Sequence, residues 1–148
     1  YFLTSNPSIQ FILAGEGPLK QFIVNKKLSN VHLTGAISSP DIAALLTQSN
    51  VFCLPSRSEG FCTSLMEASA CYTASIITNV AELIPSPDYG IIIPNAKRKS
   101  IIKAIEELAT NPIKTKQIGK NVGHRVREEF SWKKSASKVL AACLEANR

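Results

Sequence analysis

Two glutamates eight residues apart, Glu59 and Glu67, bracket the stretch Gly60-Phe61-Cys62-Thr63 and the start of an apolar periodic segment. Carboxylates accept hydrogen bonds from vicinal hydroxyls, as an acidic residue does for ribose in dinucleotide folds. The pattern over 61–71 is helical, which puts Glu59 in the preceding loop and Glu67 in the second helical turn, roughly 10–12 Å away at helical rise. Between them lie the first free backbone N–H groups of the helix, from about Gly60 to Thr63, at the end that carries a partial positive charge and suits a phosphate. Gly60 has no Cβ to hold an anion away from the backbone. The order is hydroxyl acceptor, anion cradle, hydroxyl acceptor, which matches the sugar, diphosphate and ribose of a nucleotide-sugar. The competing reading is an acidic loop and a helix-start charge that merely favours the dipole, and spacing alone leaves both open.

The elements that position this loop alternate along the chain. Residues 8–14 are rich in β-formers and end at the turn Gly15-Glu16-Gly17-Pro18. Residues 19–28 carry Leu19, Phe22 and Ile23 at helical spacing, 30–34 read as a second strand closed by Gly35, and Ser39-Pro40-Asp41 opens a helix with Ser39 at its cap. Apolar strands are expected over 51–54, 73–78 and 90–93, and helices over 100–110, 113–129 and 131–144. Gly119 and Gly123 weaken the second of these helices. The third is capped by Ser131 and aligns Trp132, Ala136, Val139, Leu140 and Cys143 on one stripe. Strands alternating with helices imply βαβ crossovers and a mostly parallel sheet covered on both faces. The expected fold is therefore one doubly wound, Rossmann-like α/β domain over 1–148, with basic C-terminal helices over 113–148. Ligands in such sheets bind at the carboxyl ends of the strands, which singles out the loops after Ala14, Thr34, Leu54 and Thr78.

Composition bounds the alternatives. With 148 residues, 45% hydrophobic and 19% charged, the chain has material for a core, unlike a disordered or disulfide-framework chain. No apolar run reaches bilayer length, and Tyr1-Phe2-Leu3-Thr4 does not read as a signal peptide. Cys53, Cys62, Cys71 and Cys143 form no C-x-x-C pair, and only His32 and His124 are available to join them. No metal site is expected, the cysteines suit a reducing cytoplasmic setting, and both histidines are expected to be structural or solvated. The net charge of +6 is uneven, with four basic and six acidic residues in 1–96 against thirteen and five in 97–148. That basic third suits an anionic membrane surface or simply forms solvated helix faces. Aromatic side chains accompany it only at Phe130 and Trp132, so no nucleic-acid platform is expected.

The segment PSRSEGFCTSLMEASAC resembles the E-x(7)-E motif of the large retaining glycosyltransferase family 4, whose fold is the two-domain GT-B type. FILAGEGPLK, NVHLTGAI, SPDIAALLTQSNVFCLPS, AELI with YGIIIP, and FSW before the last helix resemble further phrases of that family in the same order. The resemblance implies that Glu59 holds hydroxyls of the transferred sugar in a catalytic position and Glu67 the ribose hydroxyls. It implies further that the N–H groups of Gly60, Phe61 and Cys62 face the diphosphate. Gly15 and Gly17 would line the cleft, and Ala36 and Ile37 would sit near the base. The implied reaction is retaining transfer of a sugar from a nucleotide diphosphate donor to a glycan or lipid acceptor, without cofactor or dedicated metal.

The chain also departs from that family. The family's first strand, its Arg-plus-Lys phosphate clamp and its N-terminal acceptor domain have no match here. The expected consequence is donor binding weakened by about a hundredfold and no transfer by these 148 residues alone. Tyr72 and Ala74 stand where the family usually has Gly and Pro, and the Gly-Gly loop before Glu82 is missing. Three readings follow: a donor-binding C-terminal part of a glycosyltransferase, an inactive remnant with weak nucleotide affinity, or a basic module for a lipid surface or partner.

Overall fold

The computed structural model describes residues 6–79 and 83–146, so Glu82 lies outside the described residues. The strands are β1 (Phe11–Ala14), β2 (Val31–Gly35), β3 (Val51–Leu54), β4 (Ala74–Thr78) and β5 (Ile91–Ile93). The helices are α1 (Lys20–Val24), α2 (Ser39–Gln48), α3 (Thr63–Ala70), α4 (Arg98–Ala109), α5 (Pro112–Glu129) and α6 (Trp132–Ala146). Every described strand pair is parallel, as the α/β reading requires, and the strands form one sheet of order β1-β2 and another of order β3-β4-β5. Packing divides the chain between Leu45 and Leu46 into two compact units.

In the first unit β1 and β2 pair with Phe11 opposite Val31 and Leu13 opposite Leu33. Buried Asn30 fastens the entry to this sheet by donating its side-chain amide to the Ile9 carbonyl at 3.0 Å. The cap of α2 is Ser38 and not Ser39. Ser38 Oγ accepts from the Asp41 N–H at 3.4 Å and donates to the Asp41 carboxylate at 2.5 Å, while Ser39 is already helical.

In the second unit β4 is buried along its whole length and paired on both sides. Its side chains alternate between two clusters, as a strand with a period of two must. Ile77 packs with Cys62, Leu65, Leu83, Ile84 and Val126, and Ala74 and Ile76 pack with Ile93, Ala104, Leu108 and Ile118. Complete burial of an isoleucine side chain contributes about 1.5–3 kcal/mol. Helix α5 supplies Ile118 to one cluster and Val126 to the other, so it braces both faces of the unit.

α5 starts where Asn111 accepts the Lys114 N–H at 3.1 Å, with Pro112 in the first turn, and it runs unbroken through Gly119 and Gly123. Both glycines are explained by Tyr72. A Cβ at 119 would lie 2.1 Å from the Tyr72 carbonyl oxygen, and one at 123 would lie 2.3 Å from Cδ1 of its ring. Tyr72 itself ends α3 in the left-handed region, at φ 62°. Its N–H bonds the Ser69 carbonyl at 2.9 Å and the Thr73 N–H bonds the Ala68 carbonyl at 3.0 Å, the double closure of a helix end that usually takes glycine. A non-glycine there costs about 1–2 kcal/mol. Opposing that cost, the ring meets His124 edge-on at 5.6 Å and lies under the Arg127 guanidinium at 5.1 Å. Arg127 Nη2 also donates to the Ala70 carbonyl at 3.0 Å.

Ser131 caps α6 by accepting the Lys134 N–H at 3.3 Å, as expected. The apolar stripe of that helix is not buried: α6 has no buried residue, and Trp132 is 91% exposed.

Gly119→Ala should lower stability by about 1–3 kcal/mol, read by urea unfolding, and Tyr72→Gly should not rescue it because the clash is with a main-chain oxygen. Gly123→Ala should be rescued by Tyr72→Gly, which removes the ring that the new methyl meets. Equal behaviour of the two pairs would contradict this packing.

Candidate functional site

The loop 55–62 joins the carboxyl end of β3 to α3. The helix begins at Thr63, two residues later than the pattern over 61–71 suggests. Cys62 decides this, since its side chain is drawn into the cluster with Leu65, Ile77 and Val126, and it takes the cap position with no side-chain hydrogen bond. The Thr63 N–H turns back to the Phe61 carbonyl at 2.8 Å. Thr63 therefore does not offer the free N–H expected of it. Among the described residues, the N–H groups of Gly60, Phe61, Cys62, Ser64 and Leu65 meet no protein acceptor. This is the donor set that a helix start leaves open, and it suits an anion.

Around this set, Glu59 is half-buried in the loop, and Glu67 is exposed on the second turn of α3. Among the described residues, none comes within 4 Å of where a Cβ on Gly60 would point, and Phe61 is 72% exposed. Burial, and secondarily the neighbouring Glu59 carboxylate, push the Cys62 thiol up from its ordinary range. At neutral pH the sulfur is thus a neutral packing group and not a nucleophile.

The first unit carries the other expected residues at the carboxyl ends of β1 and β2. Gly15 and Gly35 both have positive φ, 116° and 69°, and the Gly15 N–H bonds the Gly35 carbonyl at 2.8 Å. A Cβ on Gly35 would fall 2.7 Å from Glu16 Oε1, the carboxylate that holds Lys20 at 2.8 Å. Gly17 faces open space, Ala36 is exposed and Ile37 half-buried. Gly15, Gly17, Ala36 and Ile37 thus share the strand ends of the first unit, while Glu59, Gly60, Phe61, Cys62 and Glu67 share one loop and helix start of the second.

The histidines are structural or solvated, with His32 Nε2 2.9 Å from Gln10 Oε1 on the exposed face of β2 and His124 against Tyr72. Among the described residues no three His, Cys, Asp or Glu side chains cluster to hold a metal ion, and no helix is long and apolar enough to cross a membrane.

A concavity in the second unit draws on the singled-out loops after Leu54 and Thr78, though none of its lining residues is among the expected site residues. It has a volume of about 420 Å³ and lies at the carboxyl ends of β3, β4 and β5, lined by Ser56, Arg57, Thr78, Asn79, Asn95 and Lys97 together with Pro94 and Ala96. Applying the strand-end rule to the loop after β5 as well as the earlier ones would have pointed to Asn95 and Lys97.

Parallel strands in βαβ order, with a helix start beyond a strand's carboxyl end, define a Rossmann-like unit of the kind that forms the C-terminal half of GT-B enzymes. Residues 3–125 match the family "Glycosyl transferases group 1", and the chain belongs to that family. It is 30% identical over 131 residues to an uncharacterized glycosyltransferase of Methanocaldococcus jannaschii, covering 84% of this chain and 37% of that protein. It is 28% identical to the MMP alpha-(1->4)-mannosyltransferase of Mycolicibacterium hassiacum, covering 87% of this chain and 33% of that one. It is 27% identical to one subunit of the human phosphatidylinositol N-acetylglucosaminyltransferase, covering 90% and 29%. The chain thus spans about a third of the length of these relatives. The fold matches the sucrose-phosphate synthase of Thermosynechococcus elongatus with a TM-score of 0.79 at 25% identity, covering 94% of this chain and 39% of that one. It also matches Anabaena Alr3699/HepE, solved in complex with UDP-glucose, with a TM-score of 0.82 at 20% identity, covering 97% and 43%.

Glu59→Gln should bring the titration of the Cys62 thiol down while leaving it above an ordinary cysteine, because burial, the larger cause, remains. Alkylation of the Cys62 peptide followed against pH by mass spectrometry measures this, and an unmoved profile would separate the two residues.

Proposed function

We propose that this chain is the donor-binding part of a group 1 glycosyltransferase that transfers a sugar, with retention, from a nucleotide diphosphate donor to a glycan or lipid acceptor. The observation that carries the reading is the row of unpaired N–H groups at the start of α3, open to solvent at Gly60 and flanked by two carboxylates. The N–H groups of Gly60, Phe61 and Cys62 receive the diphosphate, where the helix dipole adds to hydrogen bonding. Glu67 accepts the ribose hydroxyls and Glu59 the hydroxyls of the sugar being transferred, holding the anomeric carbon in place as the leaving diphosphate departs. The leaving charge is met by main-chain donors and needs no cofactor or dedicated metal. In the first unit, taken by itself, Gly15 and Gly17 leave the backbone open, and exposed Ala36 lies beside half-buried Ile37. The UDP-glucose complex of Alr3699/HepE and the sugar-transferring names among the relatives support this reading.

The exposed helix α6 favours an accompanying role at an anionic membrane surface on the cytoplasmic side. Trp132, Val139, Leu140 and Leu144 leave an apolar stripe in solvent, and the same helix carries Lys133, Lys134 and Lys138.

Titration calorimetry with UDP should show saturable binding that Glu67→Ala weakens at least tenfold, the scale of a charge-assisted hydrogen bond. A folded chain that takes up no nucleotide would refute the donor reading. Sedimentation with phosphatidylserine vesicles should carry the chain down at low salt and release it as salt rises, and a supernatant that keeps the protein throughout would refute the membrane role.

A further inference from the structure

The concavity at the carboxyl ends of β3, β4 and β5 lies entirely within the second unit, and none of Glu59, Gly60, Phe61, Cys62 or Glu67 lines it. Its charged lining side chains are both positive, Arg57 after β3 and Lys97 after β5, and no described acidic side chain joins them. Among the described residues, neither cation forms an ion pair; the pairs present are Lys20–Glu16, Lys114–Glu107 and Arg125–Glu129.

The neutral groups are arranged in the same sense. Thr78 Oγ1 donates to the Ser56 carbonyl, which ties the ends of β3 and β4 and satisfies an oxygen that would otherwise repel an anion. Asn95 Oδ1 accepts both the Lys97 N–H and the Ser100 hydroxyl, each at 3.1 Å. Its oxygen is thereby committed to the turn, and its side-chain NH2 has no described acceptor. Lys97 is also the residue that precedes α4, a twelve-residue helix whose start adds a partial positive charge.

We propose that this pocket binds the phosphoryl group of a small phosphomonoester, with the Arg57 guanidinium gripping two phosphoryl oxygens and Lys97 and the Asn95 amide supplying further donors. A planar fork suits two oxygens of one phosphoryl group, and an ammonium adds a point charge. About 420 Å³ is within the range of small-molecule sites and leaves room beyond the phosphoryl group for a body of monosaccharide size. The pocket is argued from its own lining and does not depend on the donor reading of the α3 start.

The test is NMR titration of the 15N-labelled chain with glucose 6-phosphate, inorganic phosphate, glucose and UDP in parallel. Glucose 6-phosphate should shift the amide signals of Asn79, Asn95 and Lys97 saturably, inorganic phosphate should shift the same signals more weakly, and glucose should leave them in place. The Arg57→Gln/Lys97→Gln double variant should lose at least tenfold in affinity for glucose 6-phosphate. Arg57→Lys/Lys97→Arg should keep most of it, which separates charge from any change in fold; both replaced residues are exposed. Signals that stay fixed with millimolar glucose 6-phosphate, or a double glutamine variant that binds as well as the parent, would overturn the proposal. UDP reports separately, since its shifts are expected at Gly60, Phe61 and Cys62, and their absence would count against the donor site alone.

Discussion

The burial of β4 on both faces is the constraint from which the rest of the second unit follows. A strand with no solvent on either side must pair along both edges and find apolar cover above and below. β3 and β5 supply the edges, and the clusters around Ile76 and Ile77 supply the cover. Because α3 and α5 pack where those clusters lie, the start of α3 is held by the same contacts that bury the strand. Cys62 shows the link directly, since one residue both fills the cluster beside Ile77 and sets the first residue of the helix. At its far end, β4 places Thr78 against the Ser56 carbonyl and so fixes the loop that carries Arg57 and Glu59.

Tyr72 exposes how a local conflict is resolved by distant sequence. Left-handed backbone after a helix normally selects glycine, and a tyrosine there is strained by itself. The opposing contribution comes from α5, where Gly119 and Gly123 let the helix approach the Tyr72 main chain and ring, and where His124 and Arg127 hold the ring in place. Two residues that weaken a helix by propensity therefore strengthen its docking. Neither the tyrosine nor the glycines make physical sense alone.

That coupling marks the limit of what the sequence disclosed. Strands such as Val51–Leu54 and Ile91–Ile93 were legible because a continuous apolar run bounded by turn residues has few other uses. The E-x(7)-E spacing was legible because both glutamates sit within one loop and helix, where chain geometry alone relates them. The start of α3 was not, because it depends on Cys62 reaching a cluster built partly from Val126, far along the chain. The stripe on α6 was visible as periodicity, but periodicity records which side chains share a face and not whether anything covers it. Arg57 and Lys97 belong to the least legible class, since forty residues separate them and only the parallel order of three strands brings their loops together.

Net charge illustrates the same point at the level of the field. Residues 1–96 are acidic on balance and 97–148 strongly basic, which suggests a donor-site half poor in cations. The fold cuts across that division. Lys97, the first residue of the basic part, is carried by β5 to the same strand ends as Arg57 from the acidic part, and together they make a pocket with no described carboxylate. Two residues along the loop, Glu59 flanks unpaired N–H groups and adds to the burial that raises the titration of the Cys62 thiol. Exposed charges act over about a Debye length, roughly 8–10 Å in ordinary salt, so the field at each strand end is set by the few side chains gathered there. The loop 55–62 thus sets Arg57 and Glu59 two residues apart, an alternation of sign that the composition averages away.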